Sequence, residues 1–295
     1  VVHLAFSEGG TLVAMPRFEP ASSLRVLQEY RVNRAYLAPP VLVSLAKSPL
    51  IDEYDLSLLK EIHCGGAPLS PVVARTCAAR MGCHIKQGYA LTECYPAIRV
   101  GAADPARLDP SSVGHCVSNT ECKVVDPETG AELGPDQPGE IWLRGPQVTQ
   151  GYLNHPTATA ETIDTDGWLR TGDIGVADEN GSFTIVDRLK ELIKYKGYQV
   201  APAELEAILL AHPAVADAAV IPSPDEVAGE VPKAFVVLHG EVDLDELMGF
   251  VADRVAPYKK VRRVEVIDQI PKSSSGKILR RILVERERAA AAVLA

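Results

Sequence analysis

Strand and helix signals alternate over the first 100 residues, and this alternation limits the possible folds more than any other feature of the chain. A short apolar run, Thr11-Leu-Val-Ala-Met15, follows Gly9-Gly10. Leu24 and Leu27 give helical spacing over residues 22–30. Ala35-Tyr-Leu-Ala38 reads as a brief strand stopped by Pro39-Pro40. Glu61-Ile-His-Cys64 reads as a strand running into Gly65-Gly66. Residues 71–81 then read as a helix and His84-Ile-Lys86 as the next strand. Strands separated by helices favour a mostly parallel α/β layer.

The pattern changes over residues 113–186 to short strands divided by turns. Asp126-Pro-Glu-Thr-Gly130, Asp166-Gly167 and Asn180-Gly181 are the turn signals, and they predict a small antiparallel, barrel-like region. A second unit of mixed helices and strands is expected after about residue 189. Pro202 opens a helix whose apolar face is Leu205, Ile208 and Leu209. Residues 234–238 and 261–267 read as strands, and Lys277 is expected to open a last helix. The predicted fold is α/β followed by α+β, and a length of 295 residues fits about two domains.

Composition excludes several classes of function. A net charge of -9 argues against nucleic acid as the main partner. No apolar run approaches the roughly 20 residues of a membrane span. The first 20 residues lack the basic start and compact apolar core of a signal peptide. Six cysteines (64, 77, 83, 94, 116 and 122) form no Cys-x-x-Cys pair and match no zinc spacing. They are expected to be reduced and buried, which points to the cytoplasm. The chain begins on a valine inside an apolar pattern, so it reads as a piece of something longer.

Four segments hold residues suited to chemistry. Pro271-Lys-Ser-Ser-Ser-Gly-Lys277 presents one cation at the end of a small, flexible loop. It is no P-loop, because Pro271 and Ile278 stand where glycine and a hydroxyl are needed. Gly88-Tyr-Ala-Leu-Thr-Glu93 offers close backbone approach, a stacking face, a hydroxyl at Thr92 and a carboxylate at Glu93. Hard oxygens shared with a phosphate suit Mg²⁺, although a packed tyrosine beside a solvated Glu fits the same residues. Gly167-Trp-Leu-Arg-Thr-Gly-Asp173 puts a carboxylate after a tight turn, suited either to a ribose diol or to an Asx-type turn. Residues 187–199 are dense in cations for an acidic chain, with Arg188, Lys190, Lys194 and Lys196 interrupted by Gly197 and followed by Gln199.

Together these segments resemble the adenylate-forming superfamily of acyl-CoA synthetases, luciferases and peptide-synthetase adenylation domains, and among them the 4-coumarate:CoA ligases. Met15-Pro-Arg-Phe18, Tyr54-Asp-Leu-Ser57 and Gly65-Gly-Ala-Pro68 also match in register, so the resemblance covers essentially the whole chain. It implies that residues 1–189 are the C-terminal part of a large AMP-binding domain. The α/β layer would cover about 1–112 and the β-rich region about 113–189. Residues 190–295 would form a small mobile domain hinged at Lys190. It implies the substrates ATP, coenzyme A and a small carboxylic acid, with Mg²⁺ as cofactor. In that scheme Gly66, Ala67 and Tyr89 lie against adenine, Gly88 belongs to the same nucleotide site and Thr92 holds phosphate. Glu93 serves the metal, Asp173 the ribose, and Arg188 the ribose and phosphate. Lys277 bridges the reacting oxygens in the first step. Lys194 and Gln199 serve thioester formation, while Lys196 and Gly197 admit coenzyme A. His63, Ala90, Pro96 and Ala97 would line part of the acyl pocket.

The chain departs from the family in two respects. The family's Ser/Thr/Gly-rich phosphate loop has no counterpart in these residues, so the polypeptide by itself is expected to be inactive. A methyl at Ala90 should narrow the acyl pocket, and His63 could meet a phenol hydroxyl or serve only the core. Two alternatives accompany the ligase reading. One is an enzyme that hands acyl-AMP to another acceptor; the other is a truncated nucleotide-binding homologue.

Overall fold

The computed structural model describes residues 2–100, 109–273 and 276–294. The expected parallel layer is present. Strands β1 (Arg34–Leu37), β2 (Glu61–Cys64) and β3 (His84–Tyr89) run parallel, with Arg34 opposite Glu61 and Glu61 opposite His84. Two short antiparallel strands, β4 (Ile98–Arg99) and β5 (His115–Cys116), extend the sheet. Helices α1 (Val2–Ser7), α2 (Pro20–Glu29), α3 (Pro39–Lys47) and α4 (Pro71–Met81) precede or connect the strands. Glu19 caps α2 by accepting from the Ala21 and Ser22 amides. Gly82, at φ 63°, ends α4 in the left-handed conformation that suits glycine.

Helix α3 is absent from the sequence reading. Pro39-Pro40 does stop β1, but proline also fits the first turn of a helix, where no amide partner is needed. The same dipeptide therefore ends one element and starts the next. The apolar run 11–15 forms no strand, and Leu12 and Met15 are exposed. Among the described residues no strand pairs with it, and a strand needs a paired neighbour to satisfy its backbone.

The turn-rich region folds as the expected antiparallel meander: β6 (Glu121–Val125), β7 (Gly139–Arg144), β8 (Leu169–Ala177) and β9 (Phe183–Arg188). Helix α5 (Pro156–Thr162) lies between β7 and β8. The sheet does not close into a barrel. An isolated bridge from Gly114 to Phe183 ties edge strand β9 to the start of β5. Four strands are too few to wrap round a filled interior.

The cysteine expectation fails at two positions. Cys116 and Cys122 form a disulfide, because the turn between β5 and β6 brings their Cα atoms to 6.7 Å. Cys64, Cys77, Cys83 and Cys94 are free and buried. Among the described residues no helix is long and apolar enough to cross a membrane.

The C-terminal unit is built on one sheet. Strands β10 (Ile193–Tyr195) and β11 (Tyr198–Val200) form a hairpin joined to β12 (Val215–Asp225) and β13 (Gly229–Leu238), and β14 (Arg263–Val266) runs parallel to β13. Helices α6 (Pro202–Leu210) and α7 (Leu244–Ala252) pack on one face through Leu205, Leu209, Leu247 and Val251. The opposite face, Ala219, Ile221 and Phe235, takes Leu283 of α8 (Arg280–Leu294).

One carboxylate spans the first sheet. Glu61 on β2 meets Arg34 Nε of β1 and Lys86 Nζ of β3, each at 2.5 Å. Burial alone would raise its pKa, but the bonds from Lys86 and Arg34 outweigh burial and hold it at about 2. A folded value below the unfolded one stabilises the native state above the unfolded pKa, and this stability disappears as pH falls through the folded value. Glu61→Gln is expected to cost roughly 1–3 kcal/mol at neutral pH. In urea titrations the gap from the unaltered chain should narrow between about pH 4.5 and about pH 2.

Candidate active site

Asp173 is the centre of the site. It lies on β8 directly opposite Arg188 on β9 and is only 6% exposed. Tyr89, at the carboxyl end of β3, donates its hydroxyl to Asp173 Oδ2 at 2.6 Å. Arg188 Nε stands 3.4 Å from Oδ1. Burial pushes the Asp173 carboxyl up from its ordinary value, opposed by the Tyr89 hydrogen bond and by the charges of Arg188 and Lys277. Burial and then the Asp173 charge push the Tyr89 phenol up, so it remains a donor.

The main chain beneath Asp173 is pinned. Thr171 Oγ1 accepts from the Asp173 amide at 3.1 Å and donates to the Ile141 carbonyl at 2.7 Å. Glu140, itself buried, accepts from the Gly172 amide at 2.8 Å and from Trp142 Nε1 at 2.8 Å. Asp187, also buried, accepts from the Arg188 amide and from the Ala203 amide at the start of α6. Sequence reasoning missed all three anchors. Thr171 and Asp187 stand inside motifs already singled out. Glu140 carries no signal, since its partner amide is 32 residues away.

Lys277 enters from the C-terminal unit. Its Cε is 4.0 Å from where a β-carbon on Gly66 would sit. Gly66 has φ 90°, so glycine both permits the turn and leaves room for the cation. Beside it, a β-carbon on Gly65 would come within 3.1 Å of the Gly88 carbonyl. The turn after β2 is thus held close to β3, at the carboxyl ends of parallel strands where α/β sheets bind ligands.

Lys277 does not open the last helix, contrary to the sequence reading. It lies in a tight loop closed by a bridge between Lys272 and Ile278 and by the Ser273 amide donating to the Lys277 carbonyl at 2.8 Å. Gly276, at φ 82°, cannot continue a helix, and α8 starts at Arg280. Ser274 and Ser275 of this loop lie outside the described residues. Arg280 anchors the loop from its far side, 2.9 Å from Glu206 and 3.3 Å from Glu191. Glu206 is pushed up to about 7 by burial, against the pull of Arg280.

The remaining predicted residues fall into three places. Thr92 is exposed and Ala67 half-buried beside the site. Glu93 accepts from the Tyr152 hydroxyl at 2.7 Å, and no cluster of three or more His, Cys, Asp or Glu suited to a metal occurs among the described residues. His63 stacks on Tyr36 with ring centroids 5.1 Å apart. Its Nε2 is 3.5 Å from Glu61 but makes no hydrogen bond there. Burial pushes the His63 pKa down, with Lys86 and Arg34 adding to the effect and Glu61 opposing it. Ala90 is half-buried, Pro96 is exposed after a cis peptide, and Ala97 is fully buried in the core of the β-rich region.

Lys194 and Gln199 face each other across the β10–β11 hairpin, whose turn holds Lys196 and Gly197 at φ 48° and 85°. All four are exposed. No hydrogen bond or ion pair among the described residues connects them to Asp173 or Lys277, so the predicted residues separate into two groups. Lys190 is exposed in a single 3-10 turn, Leu189–Glu191, between them.

The profile of the AMP-binding enzyme family matches residues 1–153, and that of the AMP-binding enzyme C-terminal domain matches residues 204–277. The chain belongs to the AMP-binding enzyme family. It is 49% identical over 280 residues to 4-coumarate--CoA ligase 1 of Glycine max, covering 92% of this chain and 96% of that sequence. It is 47% identical over 289 residues to 4-coumarate--CoA ligase 2 of Oryza sativa subsp. japonica, covering 96% of this chain but 51% of that sequence. The chain thus spans about half the length of most curated relatives it matches. Among solved structures, o-succinylbenzoate CoA synthetase from Bacillus subtilis, in complex with its acyl-adenylate intermediate, superposes with a TM-score of 0.83 at 31% identity. That match covers 96% of this chain and 57% of that one.

In this AMP-binding protein, Tyr89→Phe removes a bond to a buried carboxylate. It is expected to cost roughly 1.5–3 kcal/mol of stability, read from denaturant midpoints. Combined with Asp173→Asn, the two losses should be non-additive in a double-mutant cycle.

Proposed function

We propose that this protein is an ATP-dependent acid:CoA ligase acting through an acyl-AMP intermediate. The observation that carries this reading is the convergence of Gly66, Tyr89, Asp173, Arg188 and Lys277 at one strand-end cleft. In the first step a carboxylate oxygen attacks the α-phosphorus of ATP. The bond to the bridging oxygen breaks, and pyrophosphate leaves. Lys277 steadies the negative oxygens that crowd together there. Asp173 accepts hydrogen bonds from the ribose hydroxyls, Tyr89 stacks against adenine, and Arg188 faces the ribose and phosphate. In the second step the coenzyme A sulfur attacks the acyl carbonyl, the bond to AMP breaks, and the thiol proton passes to solvent.

Mg²⁺ supplies charge neutralisation on the phosphates when bound. Glu93 and Thr92 fit such an ion, because Mg²⁺ commonly takes one or two protein oxygens and the rest from phosphates. We assign the second step to the β10–β11 hairpin, with Lys194 and Gln199 toward the thioester and Lys196 and Gly197 toward coenzyme A. This assignment makes residues 190–295 a separate unit that pivots near Lys190. The acid is aryl, cinnamate-like or medium-chain. A His63 whose buried Nε2 makes no hydrogen bond supports a ring bearing a polar substituent.

Calorimetry with a non-hydrolysable acyl-adenylate analogue tests the nucleotide site in this chain. Binding is expected, and Asp173→Ala should weaken it at least about tenfold. No binding by the unaltered chain would defeat the reading. The polypeptide alone is expected to give no turnover. In a form extended to the length of its relatives, Lys277→Ala should lower ATP–pyrophosphate exchange by about 10²–10³. Conversion of supplied acyl-AMP to thioester should persist.

A further inference from the structure

Helix α3 touches the C-terminal unit at both of its ends. At its start, a β-carbon on Gly276 would lie 2.8 Å from Pro40 Cγ, so the Lys277 loop rests directly on the first turn of the helix. At its end, Lys47 Nζ donates to the Val215 carbonyl at 2.8 Å and to the Leu210 carbonyl at 3.4 Å. Leu210 is the last residue of α6 and Val215 the first of β12. The carbonyls at a helix C-terminus attract cations, and Lys47 reaches them from another part of the fold. The two contacts lie about 10 Å apart along α3.

Both partners of this contact are braced by further bonds. On the α3 side, Leu42 and Leu45 are buried in the first core. Arg80 donates to the Ala46 carbonyl at 2.8 Å and pairs with Asp52 at 2.8 Å, which fixes the end of the helix. On the other side, Lys272 at the base of the Lys277 loop pairs with Asp217 on β12 at 2.5 Å. The loop and the α6–β12 corner therefore move as one piece. Elsewhere the two units, whose main cores are separate, meet through a small cluster of Ile174, Leu192 and Ala201 and through Asp187, which accepts from the Ala203 amide.

We propose that α3 is the docking rail for the C-terminal unit and that Lys47 is its latch, a positioning residue that keeps Lys277 beside Gly66. Neither Lys47 nor α3 belongs to any of the motifs in the sequence. Burial lowers the Lys47 pKa, with Asp217 opposing the effect, consistent with an ammonium partly removed from water by the contact. The link from docking to catalysis rests on the role proposed for Lys277; the docking itself does not.

The test uses the 295-residue chain with spin labels at Arg75 and Glu246, both exposed, and pulsed electron–electron distance measurements. The unaltered chain should give one narrow distance. Lys47→Met keeps the apolar stem and removes the charge, and it should raise the ratio of displaced to docked chains about tenfold. Lys47→Arg restores a cation and should return the distribution toward the narrow form. An unchanged distribution in Lys47→Met overturns the latch, whatever the activity. A displaced distribution with undiminished ATP–pyrophosphate exchange in the extended form would support the latch and count against the role of Lys277.

Discussion

A carboxylate buried as deeply as Asp173 stays in a fold only if its neighbours supply what water no longer can. Tyr89, Arg188 and, at longer range, Lys277 do so from three separate elements. The rest of the site follows from that requirement. Strand β3 must end where the tyrosine can reach β8. Strands β8 and β9 must pair in the register that sets Asp173 against Arg188. The β-rich meander is thereby fixed relative to the parallel layer, and the candidate site lies where they meet.

The same economy of partners extends outward. Glu140 holds the Gly172 amide and Asp187 the Ala203 amide in the first turn of α6, so the backbone around the site is anchored by further buried acids. Arg280, between Glu206 and Glu191, ties the Lys277 loop to α6 and to the turn after β9. One-sided desolvation would make each of these groups costly, and pairing makes each a constraint on geometry. Lys277 itself is exposed. In the role proposed for it, an anchored but open loop lets this cation follow a changing negative charge.

Much of the fold could be read directly from the chain. The α2 and α4 helices, strands β1 to β3 and the turn-separated meander carry local signals, namely periodicity, caps and left-handed glycines. Three features were not legible. Pro39-Pro40 signals a stop and a start with the same residues, and only packing on the first core reveals α3. The bridge between Lys272 and Ile278 holds Lys277 in a loop, where apolar spacing had placed the start of a helix. Cys116 and Cys122 pair because a turn returns the chain, whereas spacing alone suggested nothing.

The sequence by itself determined the family, the parallel layer and the meander, because these rest on local patterns and on motifs in register, and the same motifs supplied the candidate side chains for the site. Tertiary structure alone decided which of those side chains meet. Lys277 stands near Gly66, whereas Lys194 and Gln199 lie on a separate hairpin. Tertiary structure also gave Lys47 its partners, two carbonyls more than 160 residues away. The physical reason is that contacts between distant segments arise from packing, register and charge pairing in three dimensions, and none of these leaves a periodic trace along the chain.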